Sequence, residues 1–347
     1  MQRLHTFVTG ENDVALAISF HLSQQSGLLK PTITSRIAKG FGAISSILAI
    51  VNELPLAHWR IEAGLKLREA MFINGTLFNS EAWQGISNAD VEQLEKVDEA
   101  LLRGLLRAHA KVPLEALFLE TGTIPIRFIL KTRRLCYLKT ILHRDDEELI
   151  REVYNAQKCD PTDGDFYNLV MGDAADVKLN IDEEEIISMK EERYKAQVKS
   201  KVRQAALLYL KQKQSGHSKL DNLTYQKLEI SKYMNSPIFN SQSVQMLFAL
   251  RTRTVKNIKT DFRGMFPDVD CPLGCGHIDS LPNVLICPVL QAHLRTNNVA
   301  IDAVKYEDIF SPDVVKQRQV TELFTQCLEI RDNLQNSPPA ALTGPLH

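Results

Sequence analysis

Residues 87–105 read SNADVEQLEKVDEALLRGL and contain the signals that decide the fold class. Ser87 can accept a hydrogen bond from a backbone amide, and Asp90, three residues later, can accept one in return, which is a capping-box arrangement at a helix start. Apolar residues then recur at helical spacing: Val91, Leu94, Val97, Leu101, Leu102 and Leu105. A capped helix with one apolar stripe must pack against other elements, so the sequence predicts a mainly α fold.

Similar helical signals lie on both sides of this stretch. Upstream, apolar residues recur at helical spacing between residues 37 and 51. Downstream, Pro113 and Pro125 each suit a helix start, and Gly122 follows the end of the first of these helices. Strand signals occur in residues 1–30, where two β-rich runs, residues 5–9 and 14–21, are separated by a turn. Residues 314–334 are predicted to form a last helix.

Changes of composition along the chain predict five segments. They are a short β-rich piece at residues 1–30, a helical bundle at 31–155, an acidic and then basic helical connector at 156–220, a basic helical region with a cysteine-rich loop at 221–335, and a flexible tail at 336–347. We therefore expect a helical bundle followed by a basic helical region that carries a small, zinc-knuckle-like loop.

Charge is strongly segregated although the whole chain of 347 residues has a formal net charge of −1. Residues 127–144 hold six basic residues and no acidic one, and residues 145–186 hold fourteen acidic and three basic ones. Residues 190–219 reverse the sign again, with nine basic and two acidic residues. The basic runs suit binding to phosphates, whereas the plainer interpretation is that acidic and basic helices pair or are separately solvated.

Composition also bears on the cellular compartment. The longest apolar runs are shorter than the roughly 18–20 residues that a membrane span needs, and the N-terminus shows no secretory signal pattern. Six cysteines in 347 residues are too few for a disulfide scaffold. We expect an intracellular protein, nuclear or cytoplasmic, with no membrane partner.

Half of the cysteines fall in one loop, which begins Cys271-Pro-Leu-Gly-Cys275-Gly-His277 and ends at Cys287. Zinc prefers four thiolate or imidazole donors in a tetrahedral site, and a turn through Pro and Gly can present two thiolates to one ion. Cys287 supplies a third thiolate. The fourth donor is left open between His277, which we place in the predicted set, and His293. The alternative is three reduced cysteines packed as small apolar groups.

A basic and aromatic segment leads into this loop. Phosphate binding with base stacking needs basic side chains interleaved with aromatic rings, here Phe248, Phe262 and Phe266. The predicted nucleic-acid-binding residues are Arg133, Arg134, Arg251, Arg253, Lys256, Lys259 and Arg263. The alternative is that the aromatic residues belong to the core and the basic side chains cover the outer face.

The familiar catalytic motifs are missing from the sequence. It contains no phosphate-binding loop, dinucleotide fingerprint, nucleophile elbow or zinc-protease motif. The adjacent pair Asp145-Asp146 suits a helix start better than a two-metal site, which needs carboxylates from separate elements. We predict that the protein is not an enzyme.

Several stretches, taken together and in order, resemble the region downstream of the polymerase palm in animal non-long-terminal-repeat retrotransposon reverse transcriptases. They are Arg68-Glu-Ala, Asn79-Ser-Glu-Ala-Trp83, Leu117-Phe-Leu-Glu-Thr-Gly122, Pro125-Ile-Arg127, Arg133-Arg-Leu-Cys-Tyr-Leu138, Leu247-Phe-Ala-Leu-Arg-Thr-Arg253, Phe262-Arg263, and Cys271-Pro-Leu-Gly-Cys275 through Cys287-Pro288. The resemblance covers roughly residues 30–295.

The resemblance implies that residues 31–155 are similar to a helical thumb and that residues 240–290 are similar to a basic, cysteine-rich region that contacts nucleic acid. The family's catalytic box of an aromatic residue, Ala and two aspartates does not occur in this sequence, so the fingers and palm are expected upstream of Met1. The chain also departs from the family's Cys-Cys-His-Cys pattern, because Asn283 stands at the histidine position.

The leading hypothesis is a non-catalytic fragment that is derived from a reverse transcriptase and binds RNA or DNA. It would contact the nucleic-acid backbone through basic helices and a zinc loop, and polymerase domains could be supplied by another chain. The alternative is a helical protein-interaction protein, or a degenerate product of a mobile element, with no nucleic-acid role.

Overall fold

The computed structural model describes residues 29–54, 57–255, 258, 269–297 and 304–336. In these residues the protein is mainly α, as the sequence predicts, and the only β-pairing described is an isolated bridge between Asp270 and Ile278. The α-helices of six or more residues are α1 (Leu29–Asn52), α2 (Ala57–Leu67), α3 (Asn88–Leu106), α4 (Leu114–Thr121), α5 (Ile126–Leu142), α6 (Leu149–Cys159), α7 (Phe166–Asp176), α8 (Glu183–Ser188), α9 (Glu191–Gln214), α10 (Ser241–Arg251), α11 (Leu281–Ile286), α12 (Pro288–Thr296) and α13 (Val314–Asn336).

Helix α3 forms as its sequence predicts. The Ser87 hydroxyl accepts the Asp90 amide at 3.1 Å, and the Asp90 carboxylate accepts the Ser87 amide at 3.3 Å, so the capping box is complete. All six residues of the predicted apolar stripe are buried. The helix ends at Leu106, because Arg107 adopts a left-handed conformation with φ of 50°.

The stripe of α3 packs mainly against α1. Side chains of Ile33, Ile44, Ile47 and Val51 on α1 are buried, and together with the α3 stripe they form part of one hydrophobic core cluster. Burying several large aliphatic side chains, each worth about 1.5–3 kcal/mol, holds the two helices together. The packing of α1 on α3 therefore helps to stabilise the helical bundle.

One helix in the described residues, Lys30–Asn52, is long and apolar enough to cross a membrane by length and composition, with a mean hydropathy of 1.2. Only 22% of its most apolar window is buried. A single helix of this kind is weak grounds for a membrane span, because core helices of soluble proteins and signal sequences meet the same criterion. The expectation of no membrane partner stays a prediction.

Gly122 shows how closely the later chain approaches the bundle. It follows α4 with φ of 65°, and a Cβ placed on it would lie 2.3 Å from the backbone carbon of Glu229. Any side chain there would collide with the backbone and also strain this residue. The sequence prediction that Gly122 follows the end of this helix is confirmed, and the structure adds the reason for a glycine.

A buried ion pair links the end of α4 to α10. The Glu120 carboxylate is fully buried and accepts the Arg251 Nε–H at 2.7 Å and the Tyr225 hydroxyl at 2.7 Å. The Arg251 guanidinium also donates to the Ile309 carbonyl at 2.9 Å. Ser231 completes the network through its amide, which donates to the Glu120 backbone carbonyl at 2.8 Å. Side chains that lie 105 to 131 residues later in the chain therefore contact one buried carboxylate.

Helix α13 closes the molecule at its C-terminal side. It packs against α10, α11, α12 and the 3-10 turn Tyr306–Phe310. The sequence predicted a last helix over residues 314–334, and the observed helix is Val314–Asn336. The predicted strands at residues 5–9 and 14–21, and residues 337–347 of the predicted tail, lie outside the described residues. The five-segment division stays a prediction.

Candidate metal centre

The cysteine-rich loop is a small hairpin followed by two short helices. The bridge between Asp270 and Ile278 pairs its two arms. The Cys271 amide donates to the His277 carbonyl at 2.8 Å, and the Asp279 amide donates to the Val269 carbonyl at 2.7 Å. These backbone bonds fix the start and the end of the hairpin, so the turn between them has a defined shape.

Two glycines make that turn possible. The Gly274 amide donates to the Cys271 carbonyl at 2.9 Å, and Gly274 and Gly276 have φ of 70° and 80°. Residues with side chains rarely adopt this left-handed conformation, so the Gly-Cys-Gly sequence is required by the backbone path. The chain reverses on either side of Cys275 and brings its sulfur back towards Cys271.

Cys287 enters from the junction of α11 and α12. Its amide donates to the Asn283 carbonyl at 2.8 Å, which ends α11, and its carbonyl accepts the Gln291 amide at 2.9 Å, which begins α12. Pro288 suits the first position of α12, because that residue needs no backbone donor. The Cys287 side chain is fully buried.

The three sulfur atoms meet in space. The Sγ atoms of Cys271, Cys275 and Cys287 all lie within 4.8 Å of one another. Two thiolates on one tetrahedral zinc ion, each with a Zn–S bond of about 2.3 Å, are about 3.8 Å apart. Small side-chain shifts would therefore bring all three sulfurs to bonding distance from a single ion.

Neither histidine that the sequence offered as a fourth donor joins this cluster of ligand atoms. His277 and His293 are exposed, and His277 contributes its backbone carbonyl to the hairpin instead. The amide of Asn283 occupies the neighbouring position, with its nitrogen 3.7 Å and its oxygen 3.9 Å from the Cys275 Sγ. The residue beside the thiols is thus the buried Asn283 rather than a histidine.

The surroundings of Cys275 and Cys287 shift the pKa values of the two thiols in opposite directions. Burial alone would raise the pKa of Cys275, but hydrogen bonds from the His277 amide and from the Cys271 and Asn283 side chains lower it overall. Burial raises the pKa of Cys287 to about 11, although the Leu290 and Val289 amides oppose this shift. A cation in the cluster would favour the thiolates, so metal binding here is coupled to proton release.

A second buried ion pair anchors the loop to α13. Both oxygens of Asp279 accept hydrogen bonds from Arg331, at 2.6 Å and 2.9 Å. Asp279 is 0% and Arg331 is 3% exposed, so the pair is screened from solvent. Because Asp279 lies between Cys275 and Cys287 in the chain, this pair holds the thiol cluster against α13.

Most of the predicted nucleic-acid-binding residues that the structure describes form hydrogen bonds or ion pairs within the protein. Arg251 is 8% exposed and pairs with Glu120, and Arg134 is 6% exposed and pairs with Asp173 at 2.7 Å. Glu120 raises the pKa of Arg251 against the opposing effect of burial. These guanidinium groups donate to carboxylates within the fold, so they are not available to a phosphate on the surface.

The remaining predicted contacts have different positions. Arg133 is half-buried and donates to the Leu77 carbonyl and to Asn74 Oδ1, the latter at 3.0 Å. Arg253 is half-buried, with a left-handed φ of 51°. Three further predicted contacts and two of the interleaved aromatic residues lie outside the described residues: Lys256, Lys259, Arg263, Phe262 and Phe266. The structure does not gather the described arginines into one surface.

Sequence reasoning missed two parts of this centre. One is the Asp279–Arg331 pair, whose partners are 52 residues apart in the chain. The other is Cys327, which is fully buried on α13 close to Cys287 although the sequence places it far from the other cysteines. A helical-wheel plot of α13, with Cys327 and Arg331 on one face, is the signal that could have suggested both.

No family model, no curated protein and no solved structure matches this chain. The resemblance to retrotransposon reverse transcriptases therefore stays a prediction from short motifs.

Proposed function

We propose that Cys271, Cys275 and Cys287 bind one zinc ion in a structural site. The convergence of their three sulfur atoms within 4.8 Å carries this proposal. Thiolates are soft ligands that favour zinc, copper(I) and iron–sulfur clusters over magnesium or calcium. Zinc is preferred here because the cluster lies in a small turn-and-helix unit, which is the usual setting of structural zinc.

The ion would act on folding rather than on a substrate. Cys271 and Cys287 are 5% and 0% exposed, so a bound ion would be largely enclosed by protein. Helices α11 and α12 have six and nine residues, which is too short for stability in isolation. A ligand that binds only the folded state stabilises it by about 2.7 kcal/mol at a free concentration of 100 times its dissociation constant.

Metal content of the purified protein tests this proposal. We expect about one zinc ion per chain after reconstitution with zinc, and loss of that ion in Cys271→Ser, because two sulfurs hold zinc far less tightly than three. Cys159→Ser is the matched control, since Cys159 is exposed on α6 and outside the cluster. Equal zinc content in wild type and Cys271→Ser, or none in wild type, would contradict the proposal.

We propose, second, that the protein binds the backbones of RNA or DNA without catalysing a reaction on them. The observation that favours this function is the surface of α9 and its flanks. Six basic side chains there are exposed: Lys190, Arg193, Lys195, Lys199, Lys211 and Lys213. The resemblance to the region downstream of a polymerase palm supports the same function. Binding of this kind depends on phosphate charge rather than on base sequence.

Salt dependence of binding tests the second proposal. The variant Arg193→Ala/Lys199→Ala/Lys211→Ala/Lys213→Ala should bind a fluorescent duplex more weakly. If all four residues contact phosphates, the slope of log K against log salt should fall by about 3–4 in magnitude. The control variant changes four exposed lysines elsewhere: Lys96, Lys227, Lys232 and Lys316. If both variants bind like wild type, a helical protein with no nucleic-acid role is favoured instead.

A further inference from the structure

The buried face of α13 points one more thiol at the metal centre. Cys327 and Arg331 are four residues apart on this helix, so they lie on the same face. Arg331 binds Asp279 within the cysteine loop, which fixes the direction of that face. Cys327, one turn earlier, therefore also faces the loop, and its side chain is 0% exposed.

Helix packing places Cys327 in the same region of the protein as Cys287. Helix α13 packs against α11 and α12, the two helices that meet at Cys287. Cys271, Cys287 and Cys327 are all buried members of the hydrophobic core. Four of the six cysteines thus gather in one region of the protein, although they come from a hairpin, a helix junction and a distant helix.

The centre needs a fourth donor that the loop itself does not supply well. A tetrahedral structural zinc site takes four thiolate or imidazole ligands. Asn283 offers only an amide, and neither His277 nor His293 joins the cluster of ligand atoms. A thiol from α13 would meet the requirement with the ligand type that the other three residues already provide.

We propose that Cys327 is the fourth zinc ligand, so that the ion ties the hairpin and the α11–α12 junction directly to α13. This inference rests on the proposed zinc site. The Cys327 Sγ is not one of the three mutually close sulfurs, so it moves towards them by side-chain rotation when the ion binds. Four thiols and one Zn²⁺ give one tetrathiolate complex and four protons, which pass to solvent. Asn283 then contacts the Cys275 sulfur from outside the ligand set.

Cobalt(II) substitution tests the proposal, because the intensity of the thiolate-to-cobalt charge-transfer band rises with the number of bound thiolates. Wild type should show a tetrahedral spectrum with four sulfur ligands. Cys327→Ala should lose about a quarter of the charge-transfer intensity, one Co–S bond of four. In chelator competition, the zinc affinity of Cys327→Ala should fall by more than about 10–100-fold, which is the loss expected when only a hydrogen-bond partner of a metal ligand is removed. Asn283→Ala should keep the wild-type spectrum.

Two controls separate the possible outcomes. Cys136→Ala removes a half-buried cysteine of α5 that lies outside the cluster and should leave both readouts unchanged. Cys327→Ser keeps nearly the same side-chain volume, so it reports on ligation if the alanine variant does not fold. A three-thiolate spectrum in wild type that is unchanged in Cys327→Ala would overturn this inference and leave the zinc site standing. Absence of cobalt and zinc binding in wild type would overturn both.

Discussion

Replacing Arg251 by methionine separates the two roles that this residue could have. The sequence assigned it to phosphate binding, whereas the structure places its guanidinium in a buried network. Arg251→Met keeps a long side chain in the core but removes the charge and every hydrogen-bond donor. Glu120 would remain 0% exposed with the Tyr225 and Ser231 hydroxyls as donors and no positive partner.

The loss of stability in Arg251→Met depends on the buried groups that the substitution leaves without a partner. Removing one member of a buried ion pair costs about 3–5 kcal/mol, because the other charge stays desolvated. The Ile309 carbonyl also loses its 2.9 Å hydrogen bond, which adds about 1 kcal/mol. We therefore expect Arg251→Met to lower the free energy of unfolding by about 4–6 kcal/mol, a large part of the 5–15 kcal/mol that is usual for a folded domain.

Urea denaturation of the metal-loaded protein measures this loss. The matched control is Arg318→Met on α13, since Arg318 pairs with Glu322 at 2.6 Å but both side chains are about half exposed. An exposed pair of this kind contributes about 0–1 kcal/mol. The double variant Glu120→Gln/Arg251→Met should regain part of the stability, because it leaves no buried charge without a partner.

Binding to a duplex at a temperature where all variants are folded supplies the second readout. A structural Arg251 predicts unchanged affinity and an unchanged salt slope in Arg251→Met. If the free energy of unfolding of Arg251→Met lies within about 1 kcal/mol of the wild-type value but the variant binds the duplex more weakly, Arg251 is a phosphate contact. The buried network then does not describe its role in solution.

Three further predictions follow from the same kinds of contact. In the Cys327→Ala background, Asn283→His should tighten zinc binding in chelator competition, because it places an imidazole beside Cys275 where the fourth thiolate is missing, and an unchanged affinity would contradict that placement. Arg331→Ala should cost about 3–5 kcal/mol in urea denaturation and also weaken zinc binding, since Asp279 would be left buried without its partner; loss of stability with no change in zinc affinity would show that the loop does not depend on this anchor. Burial opposes ionisation of Glu183, but Lys158 and Tyr154 lower its pKa. The ionised carboxylate therefore stabilises the folded state near neutral pH, and this stabilisation is lost as the pH falls through the folded pKa. Thermal melting of Glu183→Gln should accordingly depend less on pH below about 4.5 than melting of wild type.

The features of the fold that the sequence predicts correctly depend on signals from residues close together in the chain. The capping box at Ser87 and the stripe that follows it depend only on neighbours within a few residues, and both appear as predicted. Gly122 could be placed after a helix for the same reason. The glycines and prolines around Cys271 and Cys275 likewise predicted a turn that brings two thiols together, and the structure shows the three loop sulfurs within 4.8 Å of one another.

Long-range pairing explains what the sequence could not show. Arg251 among aromatic residues has the same pattern whether its partner is a phosphate or Glu120, which lies 131 residues earlier. The fourth position of the thiol cluster had the same difficulty. The sequence left this position open between His277 and His293, but the left-handed Gly276 turns the backbone so that His277 contributes its carbonyl. The candidate donor Cys327 lies 40 residues beyond Cys287 in the chain.

The buried pairs Glu120–Arg251 and Asp279–Arg331 also bear on how nucleic-acid binding should be tested. The predicted contacts Lys256, Lys259 and Arg263 lie in the chain between Arg251, which is held by Glu120, and the hairpin, which is held by Arg331 through Asp279. The described Arg251 before this segment is therefore held by the helical bundle, and the described hairpin after it is held by α13. Removal of zinc would weaken only the second attachment. Duplex affinity measured with and without zinc, in wild type and in Cys271→Ser, thus distinguishes binding that depends on the position of this segment from binding by the exposed face of α9, which zinc does not touch.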